Sequence, residues 1–290
     1  MNESCQNCPV KTCSAKERRE GETQQQFRER QSLKEHLCKI KHKILVVSGK
    51  GGVGKTTVAV NLAVTLSIQE KKVGLLDIDI HGPNVPKMLG VEGERVTGTT
   101  TTLTPFRYSD NLRLMSLSFL LRDSGSAVIW RGPLKMAIVK QFLKDVEWGE
   151  LDYLVIDAPP GTGDEILSIC QLLDDADGAV VVTTPQEVSL LDVRKSIDFL
   201  RHLSMPVLGV VENMSGLICP HCGKKIDLFK SGGGEKLASE MNVPFLGRVP
   251  LDPSVVESGD SGSPIVVSRP DSPVSKQFIE IAKKISEKGN

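Results

Sequence analysis

The run SGKGGVGKTT at residues 48–57 combines the residue types that hold a phosphate chain, in the order such chemistry requires. Gly49, Lys50, Gly51, Gly52, Val53 and Gly54 form a loop whose backbone N–H groups can turn toward phosphate oxygens, because glycine adopts the needed conformations without a Cβ clash. Lys55 follows to neutralise the outer phosphates, and Thr56, backed by Thr57, offers a hydroxyl to magnesium. Three carboxylates would complete a nucleotide-hydrolysis set. Asp157, closing the apolar run in LDYLVIDAPP, suits a magnesium contact through water. Asp79, in KVGLLDID, is the candidate for orienting the attacking water, with Asp77 organising the magnesium side or the loop. Lys55 and Asp79 are thus catalytic candidates, the early Lys50 can reach further than its own loop's phosphates in a role these residues leave open, and PPGTGD at 159–164 suits a sensor of the terminal phosphate.

A second chemistry is written in cysteine. Cys219 and Cys222, in ICPHCG, supply two sulfurs at C-x-x-C spacing, half the set that a structural zinc or iron–sulfur centre usually takes. Spacing alone leaves open zinc, an iron–sulfur centre, a thioredoxin-like redox pair or a structural pair. Cys5, Cys8 and Cys13, in CQNCPVKTC, form another group on a polar segment with little core to bury in. Cys38 could fold back as a fourth ligand there or face a helix core, and Cys170, in EILSICQLL, reads as core filling.

These groups need a frame. HKILVV and KVGLLDID are apolar strands flanking a helix over KTTVAVNLAVTLSIQ, which is expected to be amphipathic. Strand and helix then alternate through LDYLVID, DEILSICQLL, DGAVVVTTP, VSLLDVRKSIDFLRHL and PVLGVVENM. Continuous valine, leucine and isoleucine strands between helices predict an α/β fold with a mainly parallel central sheet covered by helices on both faces. Residues 1–41, polar and glutamine-rich, read as a flexible cysteine-containing tail with room for one helix; residues 42–290 read as the folded domain.

Composition narrows the function. With 36 basic and 36 acidic residues the net charge is zero, which gives no reason to expect nucleic acid or an acidic membrane as partner. No stretch reaches 18 apolar residues, and the polar start lacks the core of a secretory signal, so a cytoplasmic chain is expected. Seven cysteines in that reducing setting favour ligand, redox or core roles over disulfides.

Taken together, KGGVGKTT, LLDIDIHGPNVPKMLG, WRGP, VIDAPPGTGD and VENMSGLICPHCG resemble the Mrp/ApbC family of cytosolic iron–sulfur cluster carriers. That family lies in the deviant Walker A class of P-loop ATPases, beside the MinD-like and ParA-like proteins, and the match spans essentially residues 41–285. The resemblance implies a P-loop NTPase fold, ATP and Mg2+ as ligands, and a homodimer serving apo iron–sulfur proteins and cluster-assembly factors. It implies that Lys50 contacts phosphate bound by the other subunit, that Asp79 is the catalytic carboxylate, and that Asn213 contacts adenine. VPLDPSV, with Pro250 and Asp252, would form the other wall of the base pocket. Cys219 and Cys222 from each of two subunits would clasp one [4Fe-4S] cluster. The leading cysteines resemble the amino-terminal cluster domain of the eukaryotic-type scaffolds, but no separate cysteine precedes the C-x-x-C pair, so Cys5, Cys8 and Cys13 supply three ligands of a possible second cluster.

Rival readings make distinct demands. A MinD- or ParA-like positioning ATPase needs a carboxy-terminal membrane anchor or a basic DNA-binding face, whereas SKQFIEIAKKISEKGN is short with an ordinary core face. A zinc-stabilised regulatory ATPase needs only structural cysteines. A nitrogenase-like reductase would carry a cysteine near the DAPPGTGD loop, which has none.

Overall fold

The computed structural model describes residues 17–18, 20–79, 82–99, 102–120, 132–219, 221–222 and 224–288. An eight-stranded sheet runs in the order β10-β7-β6-β1-β5-β2-β4-β3, parallel throughout except for the edge strand β3. Its strands are β1 (Ile40–Ser48), β2 (Val73–Asp77), β3 (Phe106–Arg107), β4 (Leu112–Ser116), β5 (Leu151–Asp157), β6 (Gly178–Thr183), β7 (Val207–Glu212) and β10 (Phe245–Arg248). Every residue of β2 and β6 is buried, which explains why these strands read as unbroken apolar runs: both faces are covered.

The chain order reverses beside β1, and the right-handed crossovers therefore put helices on opposite faces. One face carries α2 (Lys55–Ile68), overlaid by α10 (Pro273–Lys288). The other carries α4 (Gly132–Asp145), α5 (Asp164–Leu172), α6 (Glu187–His202) and α7 (Gly233–Glu240), while the short α3 (Val85–Met88), α8 (Pro253–Asp260) and α9 (Ile265–Ser268) fill in around α2. This is the α/β arrangement expected from the alternating pattern.

Two expectations need correcting. Helix α2 is buried on nearly all sides rather than amphipathic, because sheet and α10 enclose it; Val58, Asn61, Leu62, Thr65 and Leu66 are all buried. Val274, Phe278, Ile281 and Ala282 of α10 are buried in that packing. Among the described residues no helix is long and apolar enough to cross a membrane.

The second correction concerns the reading of residues 1–41 as a flexible tail. Within them α1 (Gln24–Leu37) is a capped and docked helix, and β1 already begins at Ile40. Thr23 caps it in a reciprocal box: Gln26 N–H donates to Thr23 Oγ1 at 3.2 Å, and Thr23 N–H to Gln26 Oε1 at 2.9 Å. Leu33 and Leu37 enter the core against α4, and the buried Lys34 pairs with Asp174 and, at 2.8 Å, with Asp175. Burial alone would raise the Asp175 carboxyl, but Lys43 and Lys34 beside it hold it below the usual range.

Docking makes α1 part of the stability of the domain. Truncating fully buried Leu37 to alanine should cost about 2–5 kcal/mol in urea unfolding of the full chain, the usual range for emptying a core leucine site. A loss below about 0.5 kcal/mol would mean that α1 is not held in solution.

Candidate functional site

The phosphate loop leaves β1 at Ser48 and enters α2 at Lys55. Two of its turns need positive φ, at Gly52 (79°) and Gly54 (80°). A Cβ on Gly51 or Gly52 would meet nothing within 4 Å, so the crown of the loop faces open space, as a cradle for a phosphate must. Neighbouring elements press against the other glycines. A Cβ on Gly49 would lie 2.6 Å from the Asp192 backbone of α6, and one on Gly54 would lie 2.2 Å from Asn213 Nδ2. The half-buried Lys50 turns its carbonyl toward Ser48, whose hydroxyl donates to it at 2.9 Å.

Two strand ends gather the carboxylates. Register aligns Asp77 of β2 with Asp157 of β5, and both are fully buried. Lys55 Nζ lies 2.6 Å from Asp157 Oδ1 and 3.4 Å from Asp79 Oδ2, and Thr56 Oγ1 donates to Asp157 Oδ2 at 2.7 Å. Asp77 accepts from the Asp79 N–H at 3.1 Å and the Ser116 hydroxyl at 3.0 Å. Asp79 Oδ1 is buried with no hydrogen-bond partner among the described residues.

One lysine therefore faces three acids in a dry setting. Burial, and next the charge of Asp157, push the Asp77 carboxyl up to about 8 against the pull of Lys55. Burial raises Asp157 too, opposed by Lys55 and Thr56. The deficit of positive charge, the orphaned Asp79 oxygen and the hard oxygen donors of Thr56 and Asp157 fit a divalent cation of the magnesium type, with those two residues holding it.

Asn213 follows β7, and its side chain donates to Val53 O at 2.9 Å, fastening the phosphate loop. Together with Thr57, Met214, Pro250 and Asp252 it lines a cavity of about 300 Å³ beside the loop. The Asp252 carboxylate also caps α8, accepting from Ser254 N–H at 2.8 Å. Asn213, Pro250 and Asp252 thus share one pocket of a size for a nucleobase.

Cys219 and Cys222 stand at the tip of a hairpin built from β8 (Leu217–Ile218) and β9 (Lys225–Ile226), closed by Cys219 N–H to Lys224 O at 2.9 Å. Backbone groups of Cys222 and His221, then the Cys222 thiol, hydrogen-bond the Cys219 sulfur and hold that thiol below its usual range. Among the described residues no group of three or more histidine, cysteine or acidic side chains could hold a metal, so the pair has no third ligand among them. Cys170 is buried, as expected of core filling, whereas Cys38 is exposed and its thiol donates to Glu35 O rather than facing a core. Cys5, Cys8, Cys13, His81, Trp130, Pro220 and Gly223 lie outside the described residues.

Glu212 escaped the sequence reading. It ends β7 without exposed surface, and its carboxylate accepts from Gly232 N–H at 2.8 Å, from Gly234 N–H and from the Ser215 hydroxyl. An acid ending the wholly apolar run VLGVV was the available signal.

Comparison with known proteins matches residues 39–286 to the ParA-group family described as NUBPL iron-transfer P-loop NTPase. The iron-sulfur cluster carrier protein of Methanocaldococcus jannaschii is 51% identical over 286 residues, covering 98% of this chain and 96% of that protein. The solved nucleotide-binding protein of Archaeoglobus fulgidus in complex with ADP is 38% identical, with a TM-score of 0.74 over 86% of this chain and 96% of that one. The cell division ATPase MinD of Pyrococcus furiosus is 27% identical, with a TM-score of 0.61 over 85% of this chain and 99% of that one.

The crowded acids carry a pH signature. An acid whose pKa is about 8 folded and 3.8 unfolded binds more protons in the native state between those values, so its contribution to stability falls as pH rises through pH 4–8. In nucleotide-free protein, the stability of wild type relative to Asp77→Asn should decline across that window by up to about 1.4 kcal/mol per pH unit, measured by urea unfolding. A flat difference would show that Asp77 is ionised throughout.

Proposed function

This chain belongs to the NUBPL iron-transfer P-loop NTPase family, and from that membership we propose that it is a cytoplasmic ATP-dependent iron–sulfur cluster carrier. It binds and hydrolyses ATP, holds a [4Fe-4S] cluster between two copies and passes it to apoproteins. The observation that carries this reading is the cysteine hairpin: two sulfurs with no third ligand among the described residues, next to the cavity beside the phosphate loop. Twofold symmetry doubles the pair to the four thiolates that such a cluster takes. Ile226 and Leu228, exposed on the same excursion, are apolar surface that a second copy would cover.

The geometry and the family membership support the following roles at the nucleotide. Backbone N–H groups of residues 49–54 cradle the phosphates, and Asn213, Pro250 and Asp252 enclose the base. Lys55 and Thr56, which Asp157 holds in the nucleotide-free site, turn to the phosphate and the cation respectively. Thr56 and Asp157 would hold magnesium, which when bound would supply charge neutralisation to the phosphate chain. Asp79, with one carboxylate oxygen unsatisfied, has the acceptor needed to orient a water for attack. Lys50 reaches across the dimer to phosphate bound by the other copy. We assign Cys5, Cys8 and Cys13 to a second cluster whose fourth ligand comes from elsewhere.

Two measurements test these assignments. Asp79→Asn should retain ATP binding and lose about 10²-fold or more in kcat, the scale of a lost acid–base contribution; an unchanged kcat would remove its catalytic role. Anaerobic native mass spectrometry after reconstitution with iron and sulfide should give a dimer carrying the mass of one [4Fe-4S] cluster, absent when Cys219 and Cys222 are both alanine. Clusters surviving that change would belong to the tail. Iron-free monomer, or a zinc dimer indifferent to the substitution, would overturn the carrier reading.

A further inference from the structure

Both limbs of the cysteine hairpin are tied to one buried carboxylate. Ser215, on the limb leaving β7, donates its hydroxyl to Glu212 Oε1, and Gly232, on the returning limb, donates its N–H to the same oxygen at 2.8 Å. Gly234 N–H meets Oε2, and Arg248 Nε stands 3.6 Å from Oε1. Residues 217–231 therefore leave and re-enter the domain through a neck closed on Glu212. On each side of that neck the backbone turns through positive φ: Met214 (55°) and Gly216 (74°) going out, Lys230 (68°) and Gly232 (86°) coming back. Met214 and Lys230 are side-chain residues in a region such residues rarely adopt, which marks the turns as imposed by their surroundings.

The outgoing limb is also a wall of the base cavity. Met214 lines that cavity with Asn213, Pro250 and Leu251. Ser215 N–H donates to Val249 O at 3.0 Å, and Leu251 N–H to Gly216 O at 2.9 Å, so the limb and the opposite wall are paired backbone to backbone. Asn213, adjacent to Glu212, holds the phosphate loop through Val53 O. A base entering this cavity presses on the chain between Glu212 and the hairpin.

We propose that Glu212 is a positioning residue that couples occupancy of the base cavity to the cysteine hairpin. With the cavity filled, Met214 and Gly216 are fixed between base and carboxylate, and residues 217–231 are held in one arrangement. With it empty, the limbs move about the two pairs of turns. The proposal rests on the nucleotide site described above and on no property of the cluster.

Hydrogen–deuterium exchange of the full chain, free of iron, with and without Mg-ADP, tests it. In wild type, nucleotide should slow exchange at residues 48–57 and also, by about fivefold, at 217–231, which is the low end of ordinary site-to-site coupling. Glu212→Gln keeps the shape but sets an amide N–H against backbone donors. It should retain protection of 48–57 and lose the nucleotide dependence at 217–231. Ser215→Ala, which removes one tie without touching the charge, should give an intermediate ratio and serves if the glutamine variant does not fold. A merely structural Glu212 would speed exchange at 217–231 equally with and without nucleotide; that unchanged ratio, or protection of 48–57 alone in wild type, would overturn the coupling. No protection at 48–57 in wild type would remove the nucleotide site and this proposal with it. Because no cluster takes part, failure to carry one is read separately, in the native mass spectrum.

Discussion

One lysine among three acids organises this molecule. The parallel pairing of β2 with β5 sets Asp77 beside Asp157, and β1 on the other side of β5 delivers the phosphate loop and Lys55 to the same place. Like charges so close would not ionise together without a counterion, and burial of Asp77 and Asp157 sharpens the conflict. Lys55 relieves part of it through its 2.6 Å contact with Asp157. What is left over, a shortage of positive charge with one Asp79 oxygen unpaired among the described residues, is the physical capacity of the site to accept a cation.

Close approach is the second constraint. Gly49 lets the loop touch the backbone of α6, and Gly54 leaves room for the Asn213 amide that fastens Val53. A side chain at Gly49 would push the loop away from α6, and one at Gly54 would displace the Asn213 amide. The glycines thus do two jobs, freeing N–H groups at the crown and letting the base of the loop pack tightly against its neighbours.

The two buried carboxylate systems differ in how they are satisfied. Asp77, Asp79 and Asp157 share the single charge of Lys55 and leave Asp79 Oδ1 without a hydrogen-bond partner among the described residues, whereas Glu212 is a lone carboxylate that accepts from two backbone N–H groups and a hydroxyl with Arg248 nearby. An under-neutralised set invites a ligand, and a fully bonded group holds shape. Asn213, one residue beyond Glu212, ties the second kind of site to the first.

How much of this was legible follows from how local each feature is. The phosphate loop, the strand and helix order and the incomplete cysteine set are carried by adjacent residues, and periodicity with spacing was enough to read them. The docking of α1 was not, because Lys34 finds its partner 140 positions away at Asp174, and a helix rich in glutamine and charge looks solvated until that partner is placed. Helix α2 read as amphipathic because it carries a few polar residues, and local periodicity does not show that sheet and α10 cover nearly every side. Glu212 looked like any acid at a strand end until Ser215, Gly232 and Gly234 converged on it. The sequence by itself determined the chemistry on offer and the order of the elements. Only the tertiary structure decided which groups are buried together, because burial and charge pairing depend on contacts between segments far apart in the chain.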